Sequence, residues 1–207
     1  APYPPNLPVV WACISCNNGF SLDESYVACL IETVLEGSTD PNKINRKKII
    51  DILNRTPDLR SRLESAKTVI DGQAQFAVET ERMKNVMLKL ARGHAAFELS
   101  QVRRNAPTAF WCRPLSLLTE EEREEFEAPH FIDTLGEVGS RGMQRTLVTQ
   151  IALETLDGNQ STLNLAINDW LEVKEGRYRY IAIDEGTEIT IKIVVAEYLA
   201  CEVVWTP

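Results

Sequence analysis

After Gly142 the spacing of apolar residues changes, and that change restricts the folds open to this chain. Earlier apolar residues recur three and four apart. Tyr26, Val27, Leu30, Ile31 and Val34 form one such set, and Met83, Val86, Met87, Leu90, His94 and Phe97 form another. That is the period of a helix with one buried face. Past Gly142, Leu147, Thr149, Ile151 and Leu153 alternate with their neighbours, followed by Leu163, Leu165, Ile167 and then Tyr178, Tyr180, Ala182. Alternation is the period of a half-buried strand. Asp157-Gly158 and Asp184-Glu185-Gly186 are turn signals between such runs, and the β-branched stretch from Ile189 to Trp205 reads as one long bent strand or two. Helices first and strands second imply an α+β fold. The expected architecture is an N-terminal half zinc knuckle and helical region followed by a C-terminal antiparallel β domain of four or five strands.

Local signals divide the helical part further. Ser21 with Glu24 three residues on is a capping box, opening a helix that runs to about Leu35 and stops at Gly37. Asp40-Pro41 and Thr56-Pro57 each place a proline at the first helical position. Val69 to Gly72 reads as a strand end and turn, with Phe76 and Val78 returning. A long helix is expected from about Glu79 to Leu99. Residues 106–118 are irregular to extended, Thr119 with Glu122 caps an acidic helix, and residues 128–143 read as a connector. The domain divisions are therefore 1–36, 37–130 and 144–207.

Charge is uneven along the chain. The net charge of −8 argues against a generally basic nucleic-acid binder. Residues 40–104, however, carry 14 Lys/Arg against 8 Asp/Glu. Such an island attracts phosphate locally, and Lys43, Arg46, Lys47 and Lys48 are its densest part. A solvated helix face accounts equally well for each of them taken alone. The run Glu120 to Glu127 is a helix start with a solvated face and not a paired-carboxylate active site. The partner classes left open are nucleic acid through the 40–104 segment and another protein. No apolar run approaches the roughly 18 residues of a membrane span, so no membrane partner is expected.

Five cysteines at irregular spacings make a poor disulfide framework and favour a reducing, cytoplasmic compartment. Cys29, Cys112 and Cys201 sit in apolar neighbourhoods and read as reduced core residues. Cys13 and Cys16 differ. Their C-x-x-C spacing, in a tight knuckle from Cys13 to Gly19 before a helix, fits half of a tetrahedral zinc site. Neither of the two histidines completes it, because His94 lies on the apolar face of a helix as a core residue and His130 has no supporting spacing. A dithiol redox reading of Cys13 and Cys16 competes, since a helix start lowers a thiol pKa. The proline-laden stretch before Trp11 is unlike the central strand such a motif follows, so metal binding ranks first.

Asn6-Leu7, then Cys13-x-x-Cys16-Asn17, then a helix, resembles the second half of the finger of the HNH endonucleases, the ββα-metal fold. The segments Pro2 to Val10, Lys89 to His94, Gly176 to Tyr180 and Glu197 to Cys201 resemble bacterial HNH-like proteins of unassigned role. The resemblance implies that Cys13 and Cys16 hold a structural zinc. It also implies that Asn6 braces the loop of the catalytic His, and that Asn17 ligates a catalytic divalent metal such as Mg²⁺ at the scissile phosphate. There the metal would stabilise developing charge while the His activates water. The family's first Cys-x-x-Cys and its catalytic His stand upstream of the Asn, and this sequence begins five residues before Asn6. It begins without Met, which fits a removed start. The full-length protein is thus expected to be a metal-dependent nuclease relative, with this chain alone inactive. The alternative is a non-catalytic zinc-knuckle protein serving structure or partner binding.

Overall fold

The computed structural model describes residues 10, 11, 13–70, 72–132, 146–154 and 160–206. Among these the fold is mixed α+β, with five α-helices and antiparallel sheets. The chain separates into two compact units, one of residues 11–89 and one from Leu90 onward.

The first unit begins with α1 (Ile14–Leu35). The expected start at Ser21 is not used. Ser21 Oγ donates to the Asn18 carbonyl at 3.0 Å, and Ser25 Oγ donates to the Ser21 carbonyl at 2.9 Å. With its hydroxyl satisfied inside the helix, Ser21 does not act as a cap. Glu24, the other half of the expected capping box, meets Lys89 Nζ at 2.6 Å instead. Residues 14–19 are therefore helical turns in place of a knuckle. The end of α1 does follow the sequence. Gly37 has φ +61, its N–H donates to the Val34 carbonyl, and the Ser38 N–H donates to the Thr33 carbonyl. That paired arrangement is a Schellman stop.

Asp40 caps only a 3₁₀ turn, Pro41–Lys43, by accepting from the Asn42 N–H. The helix expected there resumes as α2 (Lys47–Arg55), and Thr56-Pro57 opens α3 (Pro57–Ala66). A hairpin of β1 (Lys67–Ile70) and β2 (Gln73–Phe76) follows, turning at Gly72 with φ +79; Asp71 lies outside the described residues. The core of this unit is Tyr26, Leu30, Ile49, Leu53, Leu63 and Met87, each no more than 2% exposed. Removing each such side chain from water contributes about 1.5–3 kcal/mol. The Tyr26 hydroxyl accepts the Glu79 N–H at 2.8 Å, tying the entry of α4 (Thr80–Glu98) to α1.

The second unit holds two sheets. Five strands order as β3 (Ala109–Pro114), β10 (Leu199–Trp205), β9 (Ile189–Val195), β8 (Tyr178–Asp184) and β7 (Leu171–Lys174). Three strands order as β4 (His130–Ile132), β6 (Gln160–Asn168) and β5 (Leu147–Glu154). Strand β3 comes from residues 106–118, read as irregular to extended, and β4 comes from residues 128–143, read as a connector. The stretch from Ile189 to Trp205 is two strands, joined at Ala196 and Glu197, whose φ values are +57 and +48. The hairpin signal Asp157-Gly158 and the connector residues 133–145 lie outside the described residues.

The five-stranded sheet is covered on both faces. On one, Phe126 of α5 (Glu120–Glu127) packs with Leu115, Val194 and Ala200, flanked by Trp111, Leu118 and Trp170. On the other lies the C-terminal half of α4, through His94 and Glu98. By contrast, all eight residues of β5 are exposed, and it is an edge strand among the described residues. No described helix is long and apolar enough to cross a membrane.

Candidate functional site

The expected metal-binding residues fall at the start of α1. Cys13 directly precedes the helix, and the Asn17 N–H donates to the Cys13 carbonyl at 2.9 Å. Positions 13, 16 and 17 are thus i, i+3 and i+4 of one opening turn, the spacing that puts helical positions on one face. Cys13 and Asn17 are exposed. Such a turn also presents N–H groups that have no carbonyl partner within the helix, an environment that favours thiolate and other anionic ligands. Asn6, expected to brace the catalytic loop, lies outside the described residues.

Two cysteines do not satisfy zinc's four-coordinate preference. Among the described residues no group of three or more His, Cys, Asp and Glu side chains converges to hold a metal ion. The described residues therefore do not form a closed zinc centre, nor a Mg²⁺ centre around Asn17.

The four basic candidates separate into two kinds. Arg46 is half-buried, and its Nη1 lies 3.3 Å from Oε1 of Glu32, a residue only 4% exposed. It fastens the loop before α2 to α1. Lys43, Lys47 and Lys48 are exposed. Lys47 and Lys48 open α2, whose N-cap, Arg46, supplies no side-chain hydrogen bond and whose first turn has no acidic residue. Cations at the positive end of a helix are electrostatically unfavourable by themselves. An anion at that end would relieve the repulsion.

The second unit contains a buried polar network that spacing did not single out. His94 Nε2 lies 2.6 Å from the Tyr178 hydroxyl, and the His94 ring stacks on Tyr180 with centroids 3.6 Å apart. The Tyr180 hydroxyl donates to Glu98 Oε1 at 2.5 Å, and Glu98 is only 3% exposed. Burial pushes the Tyr178 phenol above its ordinary value. His94 is thus a core histidine, as its place on an apolar helix face implies. The sequence signals for the rest were Tyr178 and Tyr180 on one strand face and a glutamate one helical turn after that histidine. A cleft beside the network is lined by Glu98, His130, Asn168, Asp169 and Asp184 among others. His130 Nδ1 there lies 3.8 Å from Glu185 Oε1.

The acidic helix is structural. The Thr119 hydroxyl accepts the Glu122 N–H, and the Glu122 carboxylate accepts the Thr119 N–H. That backbone bond, and after it the Arg113 guanidinium at 2.8 Å, holds the Glu122 carboxyl below its ordinary value. Partial burial works to raise Glu127, but hydrogen bonds from Arg179 and Arg123 outweigh it and hold that carboxyl down as well. Compared with protein-family models, curated proteins and solved structures, the chain has no match.

Proposed function

We propose that the chain is the body of an HNH-like nuclease relative whose full-length form hydrolyses phosphodiester bonds of nucleic acid. The observation that carries this reading is the opening turn of α1, which places positions 13, 16 and 17 at i, i+3 and i+4. The Cys13-x-x-Cys16-Asn17 sequence at the entry of a helix fits one half of a zinc-stabilised finger. On this reading two further zinc ligands and a general-base His complete the finger in the full-length protein. Exposed Lys47 and Lys48 at the uncapped start of α2, with exposed Lys43 in the 3₁₀ turn before it, support a phosphate partner. Arg46 is occupied in holding Glu32, so it is better assigned to structure than to nucleic acid.

The test is a plasmid-nicking assay with Mg²⁺ on the full-length protein and its Asn17→Ala variant. The expected result is nicking by the former and loss of nicking in the latter. Equal activity would remove Asn17 from the mechanism, and no activity in either would remove the enzyme reading.

A non-catalytic reading is favoured by one separate observation. Edge strand β5 exposes Leu147, Ile151 and Leu153 on one face, with Leu163 of β6 beside them. Such an edge accepts an extended strand from another polypeptide. A full-length protein that binds zinc yet never nicks nucleic acid would select this reading.

A further inference from the structure

Cys112 and Cys201 read in sequence as reduced core residues, and the sheet sets them face to face. Strands β3 and β10 run antiparallel with Cys112 directly opposite Cys201. The hydrogen-bond phase of the ladder fixes which kind of pair this is. The Leu115 N–H donates to the Tyr198 carbonyl at 2.7 Å, just beyond the Pro114↔Leu199 pair. Antiparallel pairs alternate between hydrogen-bonded and non-hydrogen-bonded types. Arg113/Ala200 is therefore hydrogen-bonded, and Cys112/Cys201 is not. Pro114, which has no N–H to donate, occupies a non-hydrogen-bonded position, as this phase requires.

In the non-hydrogen-bonded type the two Cα atoms are about 4.5 Å apart and the side chains are at their closest. That separation lies within the range of about 4.4–6.8 Å that a disulfide spans. The pair can be joined without moving the backbone. The two thiols also differ in access, because Cys201 is fully buried whereas Cys112 is half-buried at edge strand β3.

We propose that Cys112 and Cys201 form a thiol–disulfide site, with Cys112 the entry thiol and Cys201 the resolving thiol, that oxidises against a small-molecule disulfide. The Cys112 thiolate attacks one sulfur of that disulfide, breaking its S–S bond and releasing one thiolate. The Cys201 thiolate then attacks Cys112 Sγ, forming the cross-strand bond and releasing the second. The protein pair loses two electrons, the small disulfide gains them, and the two protons from the cysteines end on the released thiols. The attack by Cys201 is slow at neutral pH, since its contact with Cys112 and its burial both raise that thiol. Once formed, the bond staples the edge strand β3 to β10.

The test uses the folded chain incubated with oxidised glutathione, quenched in acid, and mapped by peptide mass spectrometry. Wild type is expected to yield a Cys112–Cys201 linked peptide pair, lighter than the reduced pair by two hydrogens. Linkage should be faster at higher pH, with a melting temperature raised by about 5–10 °C. Cys201→Ser should stop at a stable glutathione adduct on Cys112, and Cys112→Ser should leave Cys201 unmodified. Buried Cys29, in the other unit, serves as a control for unfolding. Wild type that accumulates the Cys112 adduct without linkage overturns the proposal. Modification of Cys29 as fast as Cys112 also does, because linkage would then report unfolding.

Discussion

The Tyr180 hydroxyl meets a carboxylate that is 3% exposed, and the two residues are 82 positions apart in sequence. Removing that hydroxyl takes a hydrogen bond from a buried carboxyl group, a loss of about 1–3 kcal/mol. Tyr180→Phe should therefore lower the urea midpoint of unfolding without changing the slope; an unchanged midpoint would show that Glu98 is held by other groups. Arg46 and its lysine neighbours should part in the same way. Arg46→Ala removes one ion-pair partner of buried Glu32 and should destabilise the fold by about 1–2 kcal/mol. Lys47→Ala and Lys48→Ala should alter stability by no more than about 0.5 kcal/mol. They should instead weaken nucleic-acid binding and each flatten its salt dependence by about one unit. Thermal unfolding and binding titrations across salt concentrations measure both effects.

Elements whose signals are local were legible in the sequence. Thr119 and Glu122 form the capping box their spacing implies, and Gly37 stops α1 as a left-handed glycine. Prolines 41 and 57 both open helical turns. The start of α1 was misread because Ser21 bonds back into the helix instead of capping it. Strand β3 was invisible to local periodicity because its partner lies in β10, with Cys112 paired to Cys201. The buried network shares this cause, since β8 and the end of α4 meet only in the folded unit. The α5 cap also sets a pH dependence. Glu122's folded pKa is depressed, so its contribution is complete above the ordinary glutamate value of about 4.3. The contribution is lost as pH falls through the folded value. The stability gap between wild type and Glu122→Gln should therefore narrow in melts taken from about pH 7 down to about pH 3. A gap independent of pH would show that the charge of Glu122 does not stabilise the cap.

For the whole molecule, the class was readable from the change of hydrophobic period, and the observed fold is α+β as that change implies. The division was less readable, because strands β3 and β4 join sheets formed mainly by residues after 146. The basic stretch of an acidic chain falls largely in the unit of residues 11–89, as do Cys13, Cys16 and Asn17. That unit is where the proposed nucleic-acid function would reside. The proposed function depends on the opening turn of α1 being half of a zinc-stabilised finger. Metal analysis of the purified full-length protein, beside a variant combining Cys13→Ser and Cys16→Ser, tests it most directly. About one zinc per chain is expected, lost in the double variant. Absence of zinc with a readily formed Cys13–Cys16 disulfide, or zinc retained in the double variant, would contradict it.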